Sequence, residues 1–375
     1  MLEPGQFYEA LGGRGVRFFA GVPDSLLKDF CAYVTDNADP SVNVITANEG
    51  SAVALATGHY LATGEIPLVY MQNSGLGNTI NPLTSLTDDD VYGIPMLMVV
   101  GWRGEPTKKM DAPQHVKMGK VTLPMLDSVD MPYAVLPDTM AEAEAVLDEA
   151  LRVIRETSAP FTLVVPKGTF EGYKLQMKVE TPYEMTREDA ITSFLNVLDP
   201  DAMVVSTTGK PSRELFEVRR RLGQSHDRDF LTVGSMGHSS QIALGVAMAR
   251  PDKAVYCLDG DGAALMHLGG FASIGAIAPK NYRHFLVNNA AHDSVGGPPT
   301  VGFDVDFRAI AAACGYKKVF IAESPAELDA VLPEFMASEG PVLLEARIAI
   351  GARKDLGRPT MTPKDLKEAF MASMK

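Results

Sequence analysis

The chain has 375 residues, 46% of them hydrophobic, with charges mixed in sign, which is enough apolar material for two domains with full cores. Its formal charge of −13 argues against general affinity for nucleic acid or an anionic membrane surface, and it obliges any anionic substrate to meet a local basic patch. Cys31, Cys257 and Cys314 lie far apart without C-x-x-C spacing, and the first residues show neither a charged leader nor an apolar signal core. No apolar run approaches a membrane span, so a cytoplasmic protein with reduced thiols is expected.

In chain order, short β-branched or aromatic runs fall at Val16–Ala20, Val42–Thr46, Pro67–Met71, Pro95–Val100 and Phe161–Val165. Helix-like stretches, Asp24–Asp36, Gly50–Thr63 and Thr139–Glu156, lie between them. The rhythm then repeats: strands at Met203–Ser206, Phe230–Val233, Ala254–Leu258, His284–Val287, Val319–Ile321 and Pro341–Arg347 alternate with helices at Thr186–Leu198, Ser212–Leu222, Ser239–Ala249 and Ala326–Met336. Such alternation predicts an α/β protein of two doubly wound parallel sheets. The expected division is a domain at 1–170, a linker at 171–184 and a second domain at 185–375.

Two local patterns carry chemistry. In Cys257-Leu258-Asp259-Gly260-Asp261-Gly262 an apolar strand ends in a tight turn, and the next strand ends in Asn288-Asn289. One helix fits between, and a right-handed crossover brings both carboxyl ends to the ligand-binding edge of the sheet. A carboxylate, an amide oxygen and glycine backbone suit a divalent cation and a diphosphate bridged to it. Gly-Asp-Gly is also a common turn, and the paired asparagines are what promote the chemical reading. The second pattern is Thr46-Ala47-Asn48-Glu49-Gly50-Ser51, where a glutamate closes a strand and opens a helix of small residues. Glu49 there either complements the helix dipole or sits buried against a cofactor nitrogen.

Together these segments resemble the thiamine-diphosphate-dependent enzymes. Asp261 precedes Asn288 by 27 residues and Asn289 by 28, which agrees with that family's metal–diphosphate motif, and Glu49 falls where its activating glutamate lies. Gly234-Ser235-Met236-Gly237 is similar to the segment whose bulky apolar residue holds the cofactor in its bent form. The resemblance implies a pyrimidine-binding first domain and a diphosphate-binding second one, with thiamine diphosphate and Mg²⁺ as cofactors. Asp261, Asn289 and the carbonyl of Ala291 would hold the metal, while Gly209, Ser235, Met236, Gly260, Gly262 and Ala263 would line the cofactor. It further implies a homodimer or larger homo-oligomer with active sites at the subunit interface.

Within the family, the likeness is greatest to the compact decarboxylases of phosphonopyruvate and sulfopyruvate, which lack a central third domain. It is carried by Gly21-Val22-Pro23-Asp24-Ser25-Leu26-Leu27, Met71-Gln72-Asn73-Ser74-Gly75-Leu76-Gly77-Asn78, Gly101-Trp102-Arg103-Gly104-Glu105-Pro106, Pro113-Gln114-His115 and Ala291-His292-Asp293-Ser294-Val295-Gly296-Gly297. The implied reaction is decarboxylation of a 2-oxo acid bearing a phosphonate, with the sulfonate analogue as the alternative. Asp24, His115 and His292 are candidates for proton work beside Glu49; Ser25, Arg103, Gln114 and Ser294 are candidates for substrate binding. Histidine can donate a proton or lend positive charge, and arginine offers a planar fork to a tetrahedral oxyanion. Asp24 has a second possible role as the N-cap of the next helix. The loop 101–120 gathers Arg103, Lys108, Lys109, Lys117 and Lys120 against Glu105 and Asp111, a local cationic surplus. Residues 290–303, rich in glycine and proline pairs, read as a mobile lid.

Overall fold

The computed structural model describes residues 1–107, 111–177 and 181–375. The chain falls into two compact units, Met1–Lys178 and Val179–Lys375. The first carries β1 (Phe19–Gly21), β2 (Asn43–Ile45), β3 (Leu68–Gln72), β4 (Leu97–Gly101), β5 (Tyr133–Val135) and β6 (Phe161–Val165). The second carries β7 (Met203–Ser206), β8 (Asp229–Leu231), β9 (Val255–Gly260), β10 (Tyr282–Asn288), β11 (Lys318–Ala322) and β12 (Val342–Arg347). Every pairing between these strands is parallel, and helices fill the crossovers.

The sheet orders are β2-β1-β3-β4-β6-β5 and β11-β12-β10-β9-β7-β8. Counted from each unit's own first strand, these are the same order, so one architecture is used twice. In both, the chain reverses its direction of travel across the sheet after the second strand, opening a crevice at the carboxyl ends. The inner strands β3, β4 and β6 of the first sheet, and β7, β9, β10 and β12 of the second, are mostly apolar because both faces are covered. In β3, Leu68 and Tyr70 join one core while Val69 and Met71 join the other. In β10, Phe285 and Val287 face one core and Leu286 the other. Burying each such side chain contributes about 1.5–3 kcal/mol.

Three features differ from the sequence reading. The edge strand β5 is present, and its residues are only partly buried. The segment read as a loop at 113–120 is the start of a helix, Pro113–Asp127, entered through a proline whose missing N–H costs nothing at that position. Asp24 does not cap the next helix, Lys28–Asn37; Leu27 occupies that position without a side-chain bond. Lys108 and Lys109 lie outside the described residues. Among the described residues no helix is long and apolar enough to cross a membrane.

Candidate active site

In the first unit, the segments leaving β1, β2, β3 and β4 converge the candidate residues. Glu49 opens the helix Glu49–Thr63, and Asn48 caps that helix by accepting from Ser51 N. The Glu49 carboxylate is buried, and its Oε2 accepts from Asn78 Nδ2 at 2.7 Å. Any side chain at Gly75 would strike the Glu49 carboxylate, so glycine there makes room for it. Glu49 is thus a helix-opening acid turned inward, a placement that the dipole role alone does not require.

Asp24 follows β1 and is 1% exposed. Its Oδ2 accepts from Leu26 N at 3.0 Å and its Oδ1 from Ser25 Oγ at 3.3 Å. Burial pushes its carboxyl up to about 6, against the opposing pull of those backbone bonds and the Arg103 charge. Gly101, the last residue of β4, lies so near that a methyl group there would meet Asp24 Oδ2.

Arg103 is gripped on both sides. Its Nη1 donates to Ser25 Oγ at 2.5 Å, while Nε and Nη2 donate to the two oxygens of Asp111 at 2.7 and 2.8 Å. The Arg103 fork holds the Asp111 carboxyl well below the usual range. Asn73, fully buried, ties this loop to its surroundings: its Nδ2 donates to Arg103 O at 2.9 Å and to Thr122 Oγ1 at 2.8 Å. His115 is buried in the first turn of the Pro113–Asp127 helix, and half-buried Gln114 precedes it. Gly104, at φ +73°, packs directly on the His115 carbonyl.

In the second unit, Asp261 begins a short helix straight after β9 and is 3% exposed. Thr300 Oγ1 donates to its Oδ2, and the other groups bonded to it are backbone N–H donors of Asn289 and of its own turn. All are neutral, and burial pushes the Asp261 carboxyl up to about 6. Asn288 and Asn289 end β10 with different duties. Asn288 is spent structurally: its Nδ2 donates to Gly302 O at 2.6 Å and Glu345 Oε1 at 2.9 Å, and its Oδ1 accepts from Ala290 N at 3.1 Å. Asn289, 2% exposed, donates through Nδ2 to Asp293 Oδ2 at 2.9 Å and accepts Ala291 N at its Oδ1 at 3.2 Å.

Small residues keep this region open. A methyl group on Gly262 would lie 3.1 Å from the His292 ring and 3.4 Å from Met236 Cε, and one on Gly302 would lie 2.7 Å from Asp261 Oδ2. Gly209, at φ +90°, opens the helix Lys210–Arg221, and a methyl group on it would sit 3.1 Å from Ser294 Oγ. Thr207 Oγ1, between β7 and Gly209, is buried with no hydrogen-bond partner among the described residues. Gly260 is extended at the end of β9, Ala263 is buried, and Ser235 is exposed at φ 56°. A buried carboxylate without a cationic partner, an amide oxygen, an orphaned hydroxyl and a glycine-lined opening fit a hard divalent cation with a phosphate-bearing cofactor.

One expectation changes here. Burial holds the His292 imidazole down to about 4, so at neutral pH it is a neutral base and lends no positive charge. The 290–303 loop is bonded within itself, where Ala291 bridges Pro299 and Thr300 N donates to Ala290 O at 2.8 Å, and its Phe303 packs edge-on against Tyr183. Behind the Gly-Asp-Gly turn, Cys257, Asp259 and His284 form a further buried cluster. It is internally satisfied, since His284 meets Tyr316 and Asp259 and Asp259 also accepts from Ser239.

The sequence reading missed Asn73, Asn78, Asp111 and Asp293 as working groups. Asn78 lies 29 residues from Glu49 in sequence, and Asn73 meets Arg103 and Thr122, 30 and 49 residues on, so only the folded chain brings these partners together.

Comparison with known proteins agrees with this geometry. Residues 5–121 match the thiamine pyrophosphate enzyme N-terminal TPP binding domain, and residues 208–346 match the C-terminal TPP binding domain. The chain is 37% identical over 388 residues to phosphonopyruvate decarboxylase of Streptomyces viridochromogenes, covering 99% of this chain and 95% of that one. It is 36% identical over 385 residues to phosphonopyruvate decarboxylase of Streptomyces hygroscopicus, covering 99% and 93%. Sulfopyruvate decarboxylase of Methanosarcina acetivorans is 29% identical over 331 residues, covering 82% and 81%. Both halves of the chain and nearly its full length are accounted for, and the chain belongs to the thiamine pyrophosphate enzyme family.

Proposed function

We propose that this protein decarboxylates 3-phosphonopyruvate non-oxidatively to phosphonoacetaldehyde and CO₂, with thiamine diphosphate and Mg²⁺, as a step of phosphonate biosynthesis. The observation that carries the choice is the 37% identity over nearly the whole chain to phosphonopyruvate decarboxylase, against 29% over 82% of it to sulfopyruvate decarboxylase. When bound, thiamine diphosphate supplies the carbon nucleophile and the electron sink that loss of CO₂ from a 2-oxo acid requires.

The chain's own residues then take separate roles. Glu49, a buried carboxylate steadied by Asn78, would meet the aminopyrimidine ring of the cofactor. Asp261, Asn289 Oδ1 and the Ala291 carbonyl would hold Mg²⁺, and backbone at Gly209, Gly260, Gly262 and Ala263, with Ser235 nearby, would bond the diphosphate. Met236, whose Cε lies over Gly262, would supply an apolar side chain against the cofactor. Arg103 and Ser25 form the anion-binding group for the phosphonate, with Gln114 and Ser294 as further polar contacts. Arg103's fork is taken up by Asp111, so an incoming phosphonate competes for it. His115 and His292 remain proposed proton carriers, the second as a neutral base.

Asp24, titrating near 6, can hold a proton close to neutrality and give it up. Asp24→Asn should abolish a limb near pH 6 in the kcat/KM profile. It should also raise stability, with a sign fixed by linkage. A carboxyl raised in the folded state penalises folding once it ionises, so the variant gains on the order of 3 kcal/mol above pH 6, and the gain fades as pH falls toward 3.8. Denaturation at pH 5 and pH 8 measures this; equal effects at both would reject the buried-acid assignment.

The substrate assignment is tested by direct turnover: kcat/KM for phosphonopyruvate should exceed that for sulfopyruvate. Faster consumption of sulfopyruvate would make the sulfonate the substrate. We further infer a homodimer or larger homo-oligomer with active sites at the subunit interface, and a cytoplasmic location, with which three free thiols agree.

A further inference from the structure

Asp293 holds neither cofactor nor substrate in the proposed site, yet it is bonded as a fixed point. Its Oδ2 accepts from Asn289 Nδ2 at 2.9 Å, from Arg187 Nη1 and Nη2 at 3.2 Å each, and from Gly351 N at 3.3 Å. Lys210 Nζ lies 3.7 Å from its Oδ1. Arg187 is held in turn: its Nε donates to Glu214 Oε2 at 2.5 Å, and its Nη2 donates to Glu214 Oε1 at 3.3 Å and to Gly351 O at 3.2 Å. Arg187 is 4% exposed and Glu214 1%, so this ion pair and its charge-assisted bonds are sheltered from water.

The consequence is directional. A carboxylate only accepts, so the Asn289 amide must turn its NH₂ toward Asp293, and its Oδ1 then faces the opposite way. That oxygen accepts only the 3.2 Å bond from Ala291 N among the described residues, which leaves lone-pair capacity. With the amide reversed, a nitrogen carrying two hydrogens would face the cation and could not ligate it.

We propose that Asp293, anchored by Arg187, is a positioning residue that fixes the Asn289 amide so that its oxygen is presented to the divalent cation. The proposal rests on the assignment of Asn289 as a cation ligand. The expectation follows the general rule that partners bonded to metal ligands set their orientation and tune affinity.

The test titrates Mn²⁺ into the full-length protein at saturating thiamine diphosphate and reads free Mn²⁺ by electron paramagnetic resonance. In Asp293→Leu, the acceptor that Asn289, Arg187 and Gly351 share is gone, and nothing then turns the Asn289 NH₂ away from the cation. The Mn²⁺ Kd should rise about 10–100-fold. Asp293→Asn can keep its amide oxygen at the shared acceptor place and should bind Mn²⁺ within a few-fold of the native chain. The double variant Asn289→Asp with Asp293→Leu puts at 289 a group that ligates through either oxygen, so it no longer needs to be oriented and should recover most of the lost affinity. A role in loop structure alone predicts no such rescue. If the double variant binds no better than Asp293→Leu, or if Asp293→Leu binds as the native chain does, the positioning role is wrong and the ligand assignment stands. If the native chain itself takes up no Mn²⁺, the ligand assignment falls and takes the proposal with it.

Discussion

Glu49→Gln is expected to lower phosphonopyruvate turnover by about 10²–10⁴-fold while thiamine diphosphate still binds. Glutamine keeps one oxygen to accept from Asn78 and fills the space over Gly75 with the same number of atoms. What changes is the other end of the group, where an NH₂ donor replaces a carboxylate oxygen. A glutamate that served only the helix dipole would change stability by about 0.3–1 kcal/mol and leave turnover alone. The two roles therefore separate by orders of magnitude in rate. Calorimetric titration with thiamine diphosphate, beside single-turnover rates, distinguishes lost binding from lost chemistry; normal turnover in the variant would end the mechanism.

The same contrast between local and assembled signals explains what the sequence could show. β9 and β10 were legible because strands buried on both faces are continuous apolar runs, and because their endings, Gly-Asp-Gly and Asn-Asn, are local motifs. β5 was not: Tyr133–Val135 is three residues long, lies at the sheet edge and is partly exposed, so it shows neither run nor alternation. The helix Pro113–Asp127 was hidden by Pro124 and Gly119 in its interior, both of which read as breakers. Gly119 has a tertiary reason, since Gly104 packs directly against it and Trp102 Nε1 donates to its carbonyl at 2.8 Å.

Site residues divide along the same line. Glu49, Asp261 and Asn289 stand at strand ends in recognisable company. Asp111 was legible only as a charge offsetting nearby lysines, because its bidentate grip on Arg103 joins two residues eight apart that no helix or strand period relates. Arg187 lies 106 residues before Asp293, and nothing in either neighbourhood announces the pair. The histidines show the limit most directly. His292 and His115 were grouped by residue type, but burial makes the former a neutral base, a property of the environment rather than of the letter.

Asp261→Asn should abolish activity and, at the same time, reverse sign in its effect on stability according to whether the cation is present. In the metal-free protein Asp261 is a buried carboxylate bonded only to neutral donors, with its carboxyl raised to about 6. At pH 8 its ionisation therefore costs the folded state on the order of 3 kcal/mol, and the variant escapes that cost. At pH 5 the group is largely protonated in the folded state and the advantage shrinks. Saturation works the other way. Ligand at 100 times its Kd stabilises the native chain by about 2.7 kcal/mol, and at 1,000 times by about 4.1 kcal/mol, which the variant forgoes. The two curves should thus cross as Mg²⁺ and thiamine diphosphate are added, with the native chain overtaking at high loading. Thermal unfolding at pH 8, with and without both cofactors, measures the crossing. If Mg²⁺ raises the midpoint of the variant as much as that of the native chain, Asp261 does not hold the cation; if the metal-free variant is no more stable at pH 8, its carboxylate was never paying a burial cost for a missing charge.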